Sequence, residues 1–253
     1  MLSYRIEGNG PALLLVHGFG ISFNIWQRLA PHLRPRLRLV MIELPGIGGS
    51  ALPVEGKVYL DAAVQGIEEL RLSLGIEQWA VLGYSSGSRI AEAYVSAHPD
   101  HVSKAIFLCP VTIDPRRRRA LDFGLRLDRA APAIGTWILS SWRLRFLISW
   151  LGFNLRRDPR SADWFAEIRA APLRVLKDTI RLVAASASAD FSVPVPYAMI
   201  WGDRDLVPFA PRTPAEHDYF VHGRHAAPVE SAEEVAALII PFLEGKTAGD
   251  SDS

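Results

Sequence analysis

The 253 residues, 49% of them hydrophobic, suit one large domain or two small ones with a full hydrophobic core. The formal net charge of +1 argues against a nucleic-acid-binding protein, because such domains are usually strongly basic. A single cysteine, Cys109, excludes an internal disulfide framework and a multi-cysteine metal site. The first residues lack a signal-peptide pattern, and no run of about 18 uncharged apolar residues predicts a membrane span, so we expect a cytoplasmic protein.

Short apolar runs recur along most of the chain, and each is bounded by glycine, proline or polar residues. Such runs are typical of strands that are buried on both faces of a parallel sheet. They predict strands at residues 12–16, 37–42, 80–82, 105–108 and 197–201.

Amphipathic helical patterns lie between these runs. They cover residues 61–74, 86–97 and 231–243, and Asp61 is the predicted N-cap of the first helix. The second helix is expected to end at His98, because a proline follows it. Alternation of strands and helices predicts a doubly wound, mainly parallel sheet.

The middle of the chain breaks this rhythm. Residues 114–190 show only helical pattern, with 14 arginines and one lysine against eight acidic residues, a formal charge of +7. The rest of the chain therefore carries −6. We interpret residues 114–190 as a helical cap on an α/β core formed by residues 1–113 and 191–243. The small polar residues of the tail, 244–253, predict disorder.

The strongest local motif is Gly83-Tyr84-Ser85-Ser86-Gly87, which directly follows a predicted strand and opens a predicted helix. In this context G-x-S-x-G is typical of a nucleophile elbow, a strained turn in which the flanking glycines let the backbone fold tightly around the serine. Ser85 is therefore the candidate nucleophile. The alternative interpretation is an ordinary glycine-rich turn between a strand and a helix.

A second turn, His17-Gly18-Phe19-Gly20, follows the first predicted strand. The backbone amides of Phe19 and Ser86 could together bind an oxyanion, the latter at the positive end of its helix. Alternatively the segment is a tight turn in which His17 is a packed structural residue.

The chain resembles the α/β-hydrolase superfamily, in the branch with a helical cap inserted after the sixth strand. The resemblance rests on five segments that occur in the family order: LLLVHGFG, ELPGIGGS, VLGYSSGSRIAEAYVSAHPDHV, IWGDRDLVP and HAAPVESAEEVAALIIPFL. It departs from the family at Glu43 and Ile47, where relatives usually carry aspartate and histidine. Ser86 also stands where many relatives have methionine.

The resemblance implies an acid and a base for Ser85. The family's G-x-x-D-x-x-V-P loop selects Asp205 as the acid, with Asp203 and Asp114 as alternatives. The family's histidine five residues before a glutamate selects His225 as the base rather than His222. In the serine-hydrolase mechanism, Ser85 attacks a carbonyl, His225 takes its proton and Asp205 fixes the imidazole tautomer.

These assignments predict a serine hydrolase that cleaves carboxylic esters of small to medium acyl chain through an acyl-enzyme, with neither metal nor organic cofactor. Ser85 argues against dehalogenase and epoxide hydrolase chemistry, which in this superfamily uses aspartate at that position. Thioesterase, lactonase and carbon–carbon bond hydrolase activities share the triad and remain alternatives. A ligand-sensing receptor with slow turnover is the alternative from a different class.

The cap suggests where substrate binds. Residues 134–153 are apolar and aromatic, and we nominate Trp137 and Trp142, together with Tyr84, as substrate-binding residues. The plainer interpretation is that cap helices pack an apolar face on the core. The basic run 116–119 could contact a membrane surface, although a solvated face is the expectation. The expected partner is a small-molecule ester, with no nucleic acid, and the protein is expected to be a monomer or homodimer.

Overall fold

The computed structural model describes residues 1–111, 115–141, 161–185, 191–207 and 214–245. A seven-stranded sheet forms its centre, in the order β1-β3-β2-β4-β5-β6-β7. All neighbouring strands are parallel except β1, which pairs antiparallel with β3. The strands are β1 (Tyr4–Glu7), β2 (Ala12–Val16), β3 (Arg38–Ile42), β4 (Trp79–Tyr84), β5 (Val102–Leu108), β6 (Tyr197–Gly202) and β7 (Asp218–Val221).

Helices flank the sheet, and two apolar clusters fill the space between them and its strands. Alternate residues of β2 enter different clusters: Leu13 and Leu15 belong to one, Leu14 and Val16 to the other. The helices are α1 (Ala30–Leu33), α2 (Tyr59–Ser73), α3 (Gly87–Ala97), α4 (Pro115–Ala130), α5 (Pro132–Ser140), α6 (Ser161–Ala170), α7 (Leu173–Ala185), α8 (Ala227–Glu230) and α9 (Ala232–Glu244).

The predicted fold class, a doubly wound and mainly parallel sheet, is confirmed. Each predicted strand is present, and β4 and β5 extend beyond the predicted runs. Strands β1 and β7 were not predicted. The prediction that Asp61 caps a helix is wrong: α2 begins at Tyr59 with Val58 at the N-cap position, and Asp61 lies inside the first turn. An acidic residue is still favourable there, because the helix dipole places positive charge at that end.

The described helices α4 to α7 lie between β5 and β6, so the segment predicted to be helical contains helices and no strand among the residues described. The insertion follows the fifth of the seven strands described, rather than a sixth. No helix in the described part of the chain has the length and apolar character needed to cross a membrane. Of the tail predicted to be disordered, all but Glu244 and Gly245 lies outside the described residues.

Arg89, on α3, contacts the chain on both sides of this insertion. Its Nε and one terminal nitrogen donate to the carbonyl oxygen of Val111, at 3.3 and 3.2 Å. Its guanidinium carbon also lies 3.8 Å from the ring centroid of Phe191. Glu92, one turn further along α3, pairs with the guanidinium at 2.9 Å. The chain before α4 and the chain after α7 are thus fixed to one buried side chain of the core.

Candidate active site

Ser85 occupies the turn between β4 and α3. Its φ of 54° lies in the left-handed region, which a residue with a Cβ enters only at a cost of about 1–3 kcal/mol. The flanking glycines make the turn possible: a Cβ on Gly83 would lie 2.7 Å from that of Ala91, and one on Gly87 would overlap the carbonyl oxygen of His17. The Ser85 amide donates to the carbonyl oxygen of Leu108 at 3.0 Å, which ties the turn to the end of β5.

Ser85, His225 and Asp205 form a continuous chain of hydrogen bonds. His225 Nε2 lies 2.8 Å from Ser85 Oγ, and His225 Nδ1 lies 2.8 Å from Asp205 Oδ2. The side chains of His225 and Asp205 are only 7% and 1% exposed. The carboxylate accepts from Nδ1–H, so Nε2 is left as the acceptor for the serine hydroxyl. This arrangement can withdraw the proton from Ser85 and stabilise the imidazolium that results.

Asp203 and His222, the alternative acid and base, pair with each other at the surface instead. Their side chains are 40% and 61% exposed, and His222 Nδ1 lies 3.0 Å from Asp203 Oδ2. The other Asp203 oxygen accepts from the Gly223 amide at 3.0 Å. Asp203 therefore braces the turn that precedes His225, and within the described part of the chain its carboxylate makes no hydrogen bond to His225. Asp114 lies outside the described residues.

Tyr84 lies in the core rather than on a substrate pocket, so its predicted role in binding substrate is corrected. Its side chain is 1% exposed, and its hydroxyl donates to the backbone carbonyl of His225 at 2.9 Å. The centroids of the Tyr84 and His225 rings lie 5.5 Å apart. Burial raises the pKa of the phenol well above its usual value, so it remains a hydrogen-bond donor at neutral pH. No sequence motif indicated this contact, which joins residues 141 positions apart.

The turn after β2 approaches Ser85 closely. A Cβ on Gly18 would lie 2.9 Å from the Cβ of Ser85 and 3.4 Å from its Oγ. Phe19 follows directly in the chain, and Ser86 is the N-cap of α3. In the described part of the chain, the amides of Phe19 and Ser86 have no hydrogen-bond acceptor. Both predicted oxyanion donors thus belong to turns that meet at Ser85.

His17 is fully buried and links two loops at this edge of the sheet. Its Nδ1–H donates to the carbonyl oxygen of Gly18 at 2.9 Å, and its Nε2 accepts from the Leu44 amide at 2.9 Å. Burial lowers the pKa of His17 to about 4. The neutral ring is required here, because a protonated Nε2 could not accept from Leu44. His17 is thus a packed structural residue, as one of the two sequence interpretations proposed.

Because His17 is buried in its neutral form, we expect the folded protein to lose stability in acid. Its pKa is about 4 in the folded protein and 6.5 in the unfolded chain, so the unfolded state binds the proton first as the pH falls. The free energy of unfolding should decrease by about 3 kcal/mol from this residue between pH 6.5 and pH 4, and no further below that. Urea unfolding of wild type and His17→Asn across this range would measure it, since the variant lacks this contribution.

The exposed His32→Asn is the matched control for the loss of one histidine. Its stability should change with pH as that of wild type does. Parallel pH profiles for wild type and His17→Asn would show that His17 does not titrate on unfolding.

Cys109, Asp205 and His225 place one ligand atom each within 4.8 Å of one another, which is the geometry of a small metal site. Asp205 and His225, however, already hydrogen bond to each other at 2.8 Å. Burial, reinforced by the Asp205 carboxylate, raises the pKa of the Cys109 thiol well above its usual value. Two of the three donors are thus already engaged in the chain of hydrogen bonds that ends at Ser85.

Trp137, predicted to bind substrate, lies on α5 with 73% of its surface exposed, and its role in binding stays a prediction. Trp142 lies outside the described residues.

Glu43 and Ile47, two of the departures from the family pattern, are both buried in the segment that follows β3. Glu43 accepts from the Gly49 amide at 2.6 Å and fills the space beside Gly48, whose φ is +51°. It shapes this turn, while the Ile47 side chain joins the core.

Comparison with known proteins identifies the family. A family model described as the alpha/beta hydrolase fold matches residues 11–207. The chain therefore belongs to the α/β-hydrolase family, as its sequence motifs predicted. Two solved structures share the fold. A hydrolase from Oleispira antarctica aligns with a TM-score of 0.76 at 18% identity, over 96% of this chain and 94% of that one. An esterase from Exiguobacterium antarcticum aligns at 0.74 and 16% identity, over 96% and 95%.

Curated relatives carry several hydrolase names. The chain is 27% identical over 220 residues to a pimeloyl-(acyl-carrier protein) methyl ester esterase from Aeromonas hydrophila, which covers 83% of this chain and 84% of that esterase. It is 35% identical over 101 residues to a fluoroacetate dehalogenase from a Burkholderia species, or 38% of this chain and 33% of the dehalogenase. Matches to the first curated relatives span only about a third of their lengths. Hydrolase and esterase names thus recur among the curated relatives and the solved structures.

Proposed function

We propose that this protein is a serine hydrolase that cleaves carboxylic esters of small to medium acyl chain through an acyl-enzyme. The observation that carries the proposal is the buried chain of hydrogen bonds from Asp205 through His225 to Ser85, with both distances at 2.8 Å. Such a chain activates a hydroxyl that is otherwise a weak nucleophile. Residues 114–190 belong to the proposal as a cap over the α/β core.

Each step of the reaction has a group to perform it. Ser85 Oγ attacks the ester carbonyl while His225 Nε2 takes its proton. The amides of Phe19 and Ser86 stabilise the tetrahedral oxyanion, each contributing about 3 kcal/mol. His225 then returns the proton to the departing alcohol and leaves an acyl-Ser85 ester. A water molecule, deprotonated by the same imidazole, attacks this ester and releases the acid.

The nature of the nucleophile supports ester chemistry over dehalogenation. The match to the fluoroacetate dehalogenase is limited to 101 residues, and Ser85 occupies the position where that chemistry in the superfamily uses aspartate. The match to the Aeromonas hydrophila methyl ester esterase instead extends over most of both chains. The small-molecule ester is therefore the substrate class we infer.

Hydrolysis of p-nitrophenyl esters from acetate to laurate tests the proposal. We expect release of p-nitrophenol with an optimum at short or medium acyl chains. Mass spectrometry should also detect one equivalent of a fluorophosphonate reagent attached to Ser85. Parallel assays with a thioester, a lactone and a diketone would identify the other substrate classes that share the triad.

No turnover of any ester, with unmodified Ser85, would overturn the proposal. Stoichiometric labelling of Ser85 with turnover slower than about one per minute would instead favour the ligand-sensing alternative, since typical kcat values are about 1–10³ s⁻¹. In that case a thermal-shift screen of candidate ligands becomes the next measurement.

A further inference from the structure

One carboxylate of the helical insertion binds the loop that follows β2. Glu167, on α6, accepts from the Ser22 amide at 2.9 Å and from the Ser22 hydroxyl at 3.0 Å. The same carboxylate accepts from the Asn24 side-chain amide at 2.8 Å. These hydrogen bonds join residues more than 140 positions apart. Both the backbone and the side chain of Ser22 are thus fixed by a residue that does not belong to the α/β core.

Packing on the same side reinforces this attachment. Gly20, with a φ of +65°, leaves room for the insertion: a Cβ there would lie 3.5 Å from the Cα of Ile168 and 3.2 Å from a methyl of Leu176. Ile168 and Trp164 of α6 are buried in the apolar cluster that also contains Ile21 and Ile25. Helix α6 of the insertion therefore packs its buried face against the core beside this loop.

The loop held in this way carries Phe19, whose amide is the proposed oxyanion donor. A Cβ added to Gly18, the residue before it, would lie 2.9 Å from the Cβ of Ser85, so this part of the loop passes close to the nucleophile. Three residues after Phe19, the chain is fixed at Ser22 by the Glu167 carboxylate. The Phe19 amide thus lies on a short segment fixed on one side by the sheet and on the other by the insertion.

We propose that Glu167 is a positioning residue for the oxyanion hole, so that the helical insertion completes the catalytic machinery as well as covering it. The inference rests on the proposed serine hydrolase function. Removal of the carboxylate releases Ser22 and lets the Phe19 amide move away from the developing oxyanion. A displacement of about 1 Å can lower the rate about 100-fold, because the donor must meet charge that exists only in the transition state.

Kinetics of Glu167→Ala, Glu167→Gln and Asp163→Ala test this. We expect Glu167→Ala to lower kcat about 10- to 100-fold with KM changed less than threefold. Glu167→Gln keeps one acceptor oxygen and should retain most of the activity. Asp163, exposed on the same helix, is the matched control and should retain the wild-type kcat.

A second measurement separates positioning from general support. The serine Oγ adds to a trifluoromethyl ketone and gives a hemiketal, in which the former carbonyl oxygen is the oxyanion. The product acid forms no such adduct. Glu167→Ala should weaken inhibition by the ketone by the same factor as it lowers kcat/KM, with little change for the acid. If Glu167→Ala does not fold, the same comparison is made with Glu167→Gln, where a smaller loss confined to the ketone is expected.

Two results with an active wild type would contradict the inference. In one, the Glu167 variants change only the melting temperature. In the other, they weaken inhibition by the ketone and inhibition by the acid equally. A wild type that hydrolyses no ester would overturn the proposed function, and this inference with it. The two failures are thus distinguished by the wild-type assay alone.

Discussion

Ser85→Ala is expected to lower kcat for p-nitrophenyl esters about 10⁶-fold, the scale on which loss of a triad nucleophile acts. Alanine lacks the hydroxyl that lies 2.8 Å from His225, so no acyl-enzyme can form. The remaining rate would come from water attacking a substrate held at the oxyanion donors. Pre-steady-state assays with substrate in excess would show loss of the initial burst as well as of steady turnover.

The structure predicts that this variant folds. Alanine has the same Cβ as serine in the turn at φ 54°, and it adds no atom to the close approach of Gly18. Its melting temperature should therefore remain near that of wild type. Ser96→Ala, exposed on α3, is the control and should be fully active. Burst kinetics that persist in Ser85→Ala would assign the nucleophile elsewhere.

Asp205→Asn is expected to lower kcat about 10⁴-fold, while Asp203→Asn should change it by less than a few-fold. An amide facing His225 Nδ1 can donate a hydrogen bond, which favours the wrong imidazole tautomer and fails to stabilise the imidazolium. Among the residues that the structure describes, the Asp203 carboxylate hydrogen bonds to His222 and to the Gly223 amide, at the surface. Steady-state kinetics of the two variants, with the unfolding midpoint of each, make the comparison.

One residue separates Asp203 from Asp205, so comparing the two variants tests which carboxylate is the partner of His225. A larger loss in Asp203→Asn than in Asp205→Asn would mean that the acid is wrongly assigned. Equal small losses would mean that His225 works without a carboxylate partner.

The strands that the sequence predicted are those whose burial leaves a continuous apolar run. β2 reads ALLLV and β6 reads YAMIWG, and both lie inside the sheet. The two edge strands were missed for the opposite reason. β1 reads YRIE with three exposed residues and β7 reads DYFV, so neither shows the apolar run of a strand buried on both faces. Edge strands have solvent on one side, which removes the signal.

The candidate site likewise has a part that the sequence could predict and a part that it could not. Ser85, Asp205 and His225 could be nominated from local motifs and their order, because each lies in a short turn of characteristic composition. The contacts that hold them could not. Tyr84 reaches the His225 carbonyl and Glu167 reaches Ser22 only after the chain has folded, over separations of 141 and 145 residues. A single sequence carries no periodicity or spacing that marks such pairs.

The attachment of Arg89 to Val111 and Phe191 has an evolutionary consequence. One side chain fastens both junctions of the helical insertion to α3, the helix that opens directly after Ser85. A different helical module grafted between these junctions would meet the same two anchor points and leave the sheet unaltered. Under the proposed function, exchange of this module would change substrate preference without altering the sheet, provided the replacement restores a carboxylate where Glu167 meets the loop.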